Sequence, residues 1–150
     1  MQEEGETSPP VRVGGESPRA IKLRFDRLTR SFPSEPDDPM RDFVVTAHSD
    51  GVRIEVTVRT WGGDGLDVFL DELSEEFRGW SGARTWRSLE RDLTLSAEHT
   101  GSCVQLTWGL HDRLPHDEWH FEATTHHAPG EDMRNLAIEM RSFLASEPPK

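Results

Sequence analysis

Two runs of strict alternation restrict this chain more than any other feature. Leu93, Leu95 and Ala97 alternate with Thr94, Ser96 and Glu98; Val104, Leu106, Trp108 and Leu110 then alternate with Gln105, Thr107, Gly109 and His111. Period-two alternation of that length describes strands with one dry and one wet face. The link His99-Thr100-Gly101-Ser102 contains a glycine that can take the positive φ of a tight turn. An antiparallel hairpin follows, and a fold must be found that covers its dry face.

A second hairpin is as clear. Phe43, Val45 and Ala47 precede Asp50-Gly51, and Val52, Ile54, Val56 and Val58 follow it. A two-residue type I′ turn at Asp50-Gly51 sets Ala47 opposite Ile54, Val45 opposite Val56 and Phe43 opposite Val58, with all six on one face. Ile21, Leu23 and Phe25 predict a strand before it, and Trp119, Phe121 and Ala123 predict one late in the chain. Pro33, Pro36 and Pro39 make 32–39 a loop.

The helices supply the cover. After Gly62-Gly63, Asp64 is suited to an N-cap, and Leu66, Phe69, Leu70, Leu73 and Phe77 recur at helical spacing until Gly79. Met133, Leu136, Ala137, Met140, Phe143 and Leu144 trace a second amphipathic helix. The expected fold is α+β: a two-layer sandwich with a mainly antiparallel sheet of about six strands, two helices on one face, and the order βββαβββα. Residues 1–19, rich in Glu, Pro and Gly, read as a disordered tail in which Val11 and Val13 could form a stray edge strand. Residues 20–146 form the domain, and 147–150 a frayed end.

Phe77-Arg78-Gly79-Trp80, with Gly82, Trp86, Ser88-Leu89-Glu90, Asp92-Leu93, Leu95, His99 and Gly101, resembles the central signature of an uncharacterised family of small single-domain proteins from high-GC bacteria. The resemblance spans roughly residues 52–145. It implies a shared fold and transfers no catalytic or ligand-binding residue. Physically, Trp80 and Trp86 flank the loop after the first helix, where each indole buries a large apolar area and needs a partner for its N–H. They are suited to pinning the helix end to the central hairpin, or alternatively to lining a ligand pocket.

Charge narrows the function. With 17 Lys and Arg against 28 Asp and Glu, the net charge of −11 disfavours nucleic acid and anionic membrane as partners and favours a basic protein. Asp67, Asp71, Glu72, Glu75 and Glu76 fall on the flanks and outer side of the first helix, making it the candidate partner surface. The single cysteine, Cys103, allows neither an intramolecular disulfide nor a cysteine-rich metal site. Without a leader-like or membrane-length apolar run, the expectation is a soluble cytoplasmic protein.

Catalytic and metal patterns are weak. His116-Asp117-Glu118-Trp119-His120 imitates the spacing of a zinc-protease helix, but it carries Asp after the first histidine and follows Pro115. In a strand, His116 and His120 would stand about 13 Å apart. His111, His126 and His127 read as solvated, so no metal or cofactor is expected. Glu55, Glu98 and Glu122 share a wet face by alternation alone, and neither Ser88 nor Ser96 sits in a nucleophile elbow that could recruit a histidine and Asp92. Gly62, Gly63 and Gly65 precede a helix, yet Asp64 and Asp67 would repel a phosphate. The chain therefore reads as a non-catalytic protein-binding module, such as an immunity-like inhibitor of a basic effector. The alternative is a small-molecule-binding domain or enzyme with a pocket between sheet and helices.

Overall fold

In a computed structural model, which describes residues 9–30, 34 and 37–146, the order is ββββαββββα. The strands are β1 (Val11–Gly14), β2 (Lys22–Arg30), β3 (Met40–Ser49), β4 (Val52–Trp61), β5 (Ala83–Arg87), β6 (Leu93–His99), β7 (Val104–His111) and β8 (His120–His127). Helix α1 (Leu66–Glu75) follows the first four and α2 (Glu131–Ala145) the last four. The strands form two four-stranded antiparallel sheets in sequential order, β1-β2-β3-β4 and β5-β6-β7-β8. The α+β class and the antiparallel pairing stand; the single six-stranded sheet in a βββαβββα order does not.

Two strands explain the difference. Residues 11–14, assigned from sequence to the tail, form the edge strand that Val11 and Val13 allow, opposite Phe25 and Leu23. Both valines are buried. Strand β5 has only Trp86 as a large apolar residue facing inward, so no alternation betrays it. The remaining tail residues 1–8, residues 32, 33, 35 and 36 of the proline-rich loop and the end 147–150 lie outside the described residues.

The first sheet is built as its hairpin dictates. Phe43 pairs with Val58, Val45 with Val56 and Ala47 with Ile54. Only Gly51 takes a positive φ at the turn, +77°, so the turn is not the type I′ turn expected, in which Asp50 would share that sign. In β2 the register shifts between Asp26 and Thr29, with Arg27 at φ 55°. That bulge turns Leu28 back to the dry face, where it is buried.

The central hairpin forms as read, with Leu95 opposite Trp108 and Ala97 opposite Leu106. Its inner face meets that of the first sheet where the Trp108 and Phe25 rings approach edge-on at 5.6 Å. The Phe43 ring meets Phe143 of α2 at 5.8 Å. The two helices pack on each other, β1 runs beside β8, and a single apolar core joins both sheets to both helices. All six apolar residues expected to face inward from α2 are buried.

Three local expectations are corrected. Helix α1 ends at Glu75, so Phe77 lies past it and is 53% exposed rather than inward. Gly65, not Asp64, is the N-cap, and no side chain caps the helix. Asp64 instead adopts φ 54° and accepts hydrogen bonds from the Trp61 N–H (3.1 Å) and the Leu89 N–H (2.6 Å). Strand β8 begins at His120, leaving Trp119 46% exposed in the preceding loop.

Polar side chains fasten the sheets where apolar ones cannot. Asp92, fully buried, accepts from the Ser88 hydroxyl (2.6 Å), the backbone N–H of Arg59 (3.3 Å) and the Arg113 guanidinium (3.1 Å). Arg113 also donates to the Thr57 carbonyl at 2.8 Å. Side chains thus occupy backbone groups on the free edge of β4, which would otherwise be open to another strand. Among the described residues, no helix is long and apolar enough to cross a membrane.

Candidate functional site

Alternation on β5 to β8 leaves one side of the second sheet to water, and the register arranges that side in rows across the strands. Thr85, Ser96, Thr107 and Thr124 are successive neighbours in one row, with the Thr107 and Thr124 hydroxyls 3.1 Å apart. Beside it runs the row Arg87, Thr94, Gly109 and Glu122. Ala83, Glu98, Gln105 and His126 form the third. Short hydroxyl side chains between longer charged ones make a trough, and an open depression of about 440 Å³ lies over it, bordered by Thr85, Arg87, Thr94, Ser96, Thr107, Gly109 and Glu122.

Gly109 is the low point. Thr94 Oγ1 and His111 Nε2 are 2.9 Å apart across it, and a Cβ there would stand 2.3 Å from the first and 2.7 Å from the second. His111 in turn stacks on its neighbour His120, ring centres 5.5 Å apart at 19°. The glycine is therefore required by the polar contact that crosses it.

The tryptophans take structural partners. Trp80 Nε1 donates to the Ala97 carbonyl at 3.2 Å and so ties the segment after α1 to the central hairpin. Its ring meets His99 edge-on and lies under the Arg84 guanidinium. Trp86 Nε1 donates to the Asp64 carbonyl at 2.8 Å, which fixes the start of α1, and Trp86 also contributes to the border of the sheet depression. Trp80 does not border that depression, and other aromatic side chains fill the space between sheet and helices. Phe25, Phe43, Phe143 and Trp108, all fully buried, pack into that space.

The acidic helix is divided by ion pairs. Asp67 accepts from Arg141 of α2 at 3.3 Å, and Asp71 lies 3.8 Å from the same guanidinium. Glu76 binds Arg84 of β5 through both carboxylate oxygens, and those hydrogen bonds hold its carboxyl below the usual range while raising the Arg84 guanidinium. Glu72 and Glu75 remain exposed with no such ion pair among the described residues.

Other chemistry is placed as follows. The Ser88 hydroxyl donates to Asp92 in the buried clamp, not to a histidine, while Ser96 stands in the open trough. Glu55 lies on the first sheet and Glu98 and Glu122 on the second, so the wet face expected to hold all three is two separate faces. His116 sits in the loop before β8 and His120 at its first position. Among the described residues, no group of three or more His, Cys, Asp or Glu side chains gathers as a metal site. His127 faces inward beside Thr125, its Nε2 2.8 Å from the hydroxyl that also accepts from Trp108 Nε1. Burial pushes its imidazole below the ordinary value; Asp132 opposes the shift and His126 adds to it.

Sequence reasoning listed the wet residues of β6 and β7 but missed the trough. It needs Thr85, and β5 had gone unrecognised. The available signal was Ala83-Arg84-Thr85-Trp86-Arg87 itself, a β-favouring stretch ending a glycine-containing loop.

Neither a curated protein nor a solved structure matches the chain. A family model does match residues 15–147, nearly the whole chain, and the resemblance noted over residues 52–145 falls within it. The chain belongs to the family described as a family of unknown function, DUF6228.

Proposed function

We propose that this chain is a soluble, non-catalytic protein-binding module whose partner docks on the outer face of the second sheet. The observation that carries the reading is the row Thr85, Ser96, Thr107 and Thr124, which gives all four strands short hydroxyl side chains at one level. Such a surface has little rotamer entropy to lose on docking and offers donors and acceptors to a partner's backbone. The polar residues around it, with Arg87, Glu98, Glu122 and His126 exposed, are spread over an open face rather than converged in a cleft, which suits recognition better than acid–base chemistry.

The partner is a basic protein. A net charge of −11 accelerates its approach, and Glu98 and Glu122 on the face supply local contacts. Inhibition of a basic effector in the cytoplasm is one role of this kind. Asp67 and Asp71 of α1 and Glu76 just past its end are already paired within the chain, so the helix contributes to steering through Glu72 and Glu75. A photo-crosslinking residue at Ser96, compared with one at Glu75, tests the assignment on partner captured from the native cell. Crosslinks to one basic protein from position 96 and few from 75 are expected; the reverse pattern overturns the face assignment.

A second reading uses the same depression for a small polar ligand, favoured by the Thr94–His111 contact over Gly109. It predicts that a small molecule, and not a protein, protects the residue at 96 from labelling.

A further inference from the structure

The outer face of the first sheet carries a charge pattern opposite to that of the chain. Arg12 of β1 stands directly opposite Arg24 of β2, and in the next row Lys22 stands opposite His48, which is followed by Arg53. Like charges facing each other across an antiparallel pair, as Arg12 and Arg24 do, destabilise it. A chain with 28 carboxylates has ample means to neutralise such a cluster, yet few are placed here. Asp26 binds Arg24 at 3.2 Å, and Glu55 is engaged with Arg27 (3.4 Å) and Arg53 (3.6 Å). Glu16 stands at the rim. Among the described residues, no carboxylate lies within ion-pair distance of Arg12 or Lys22.

Three of these fixed cations border a groove. Arg12, Lys22 and Arg24 line a depression of about 570 Å³ together with the His48 imidazole, Gly14, Gly15 and one carboxylate residue, Glu16. Its mouth is held in shape: Lys22 Nζ donates to the carbonyls of Ser17 (2.6 Å) and Ala20 (3.4 Å) and keeps one further hydrogen to donate.

We propose that this groove binds a phosphate group, with Arg12 and Arg24 gripping it from two strands and Lys22 and His48 closing the far side. A carboxylate carries one charge and is satisfied by a single guanidinium fork, whereas a phosphate monoester carries close to two charges and three free oxygens. Two opposed guanidinium groups beside an ammonium match the second. The overall charge, which disfavours long polyanions, acts over distances where salt screens it and leaves a single phosphate in this groove governed by its immediate neighbours. The site lies on the other sheet from the proposed docking face and does not depend on it.

Backbone amide NMR of the full chain tests the proposal. Inorganic phosphate and glycerol phosphate are titrated separately, each against sodium chloride and sodium acetate at equal ionic strength. Saturable shifts confined to residues 12–16, 22–24 and 48 are expected with phosphate and absent with the control salts. Saturation by glycerol phosphate alone identifies an esterified phosphate as the ligand and also supports the site. Arg12→Gln with Arg24→Gln is expected to weaken binding roughly tenfold or more through loss of charge-assisted donors, with Arg12→Lys retaining part of it. Shifts that do not saturate, that spread over the whole chain, or that acetate reproduces at the same concentration overturn the proposal. The wild-type titration alone decides this if the double variant does not fold.

Discussion

Gly109 shows how one absent side chain shapes a surface. In the interior of a strand glycine costs conformational entropy and packs nothing, so its presence in β7 marks a close approach, here between Thr94 Oγ1 and His111 Nε2. Gly109→Ala is expected to break that contact and destabilise the fold by roughly 1 to 3 kcal/mol through overpacking. Denaturant unfolding checks the value, and combining it with Thr94→Ala should give a smaller loss than the sum, because both changes act on one contact. Additive losses would mean that the crowding is relieved elsewhere. The glycine was visible in the sequence as a break in polar alternation, but its reason was not, since Thr94 and His111 meet it only across strands and only in the observed register.

At the scale of elements, legibility followed the number of apolar residues that an element turns inward. The hairpin β3–β4 and helix α2 present six such residues each, and pairing and buried face were both readable. Strand β5 presents Trp86 alone, and β1 is four residues set among glycine, proline and glutamate, so tertiary pairing rather than local pattern decides them. Helix α1 was read too long because Phe77 fits the helical spacing; the chain leaves the helix after Glu75, and the His99 ring lies 3.1 Å from the Phe77 carbonyl. The packing ranks two substitutions. Leu106→Ala, at a fully buried position of β7, should cost about 2 to 5 kcal/mol, and Phe69→Ala, at a partly buried one, should cost less. Chemical denaturation that put Leu106→Ala within about 0.5 kcal/mol of wild type would contradict the placement of the central hairpin in the core.

The whole molecule repeats one plan: a four-stranded meander followed by a helix, twice, with the dry faces of both meanders and the pair of helices sharing one core. The sequence halves share no residue pattern that announces the repeat, and the ion pairs that divide the acidic helix, Asp67 and Asp71 with Arg141 and Glu76 with Arg84, join residues that only the folded chain brings together. The same closure half-buries His127. In the unfolded chain its imidazole takes up a proton near the ordinary value of 6.5, whereas burial makes the folded chain take it up only at lower pH. The unfolded state therefore binds more protons just below that value, and the contribution of this residue to stability, intact above it, is lost as pH falls toward the folded value. Urea midpoints measured from about pH 7 down to pH 5 should fall less steeply in His127→Gln than in wild type. An unchanged slope would mean that His127 titrates freely.

Two open sheet faces and a filled interior make this a molecule whose polar chemistry is presented outward, and the central claim is that the hydroxyl trough of the second sheet is where a partner binds. The most direct measurement compares equilibrium affinity of the crosslinked basic protein for Thr107→Lys and for Glu72→Lys with Glu75→Lys, by calorimetry at physiological salt. The account predicts that a lysine in the trough weakens binding about tenfold or more, near 1.4 kcal/mol, while the helix double variant mainly slows association and changes affinity by less. Full affinity in Thr107→Lys, with the loss found in the helix variant instead, would contradict it.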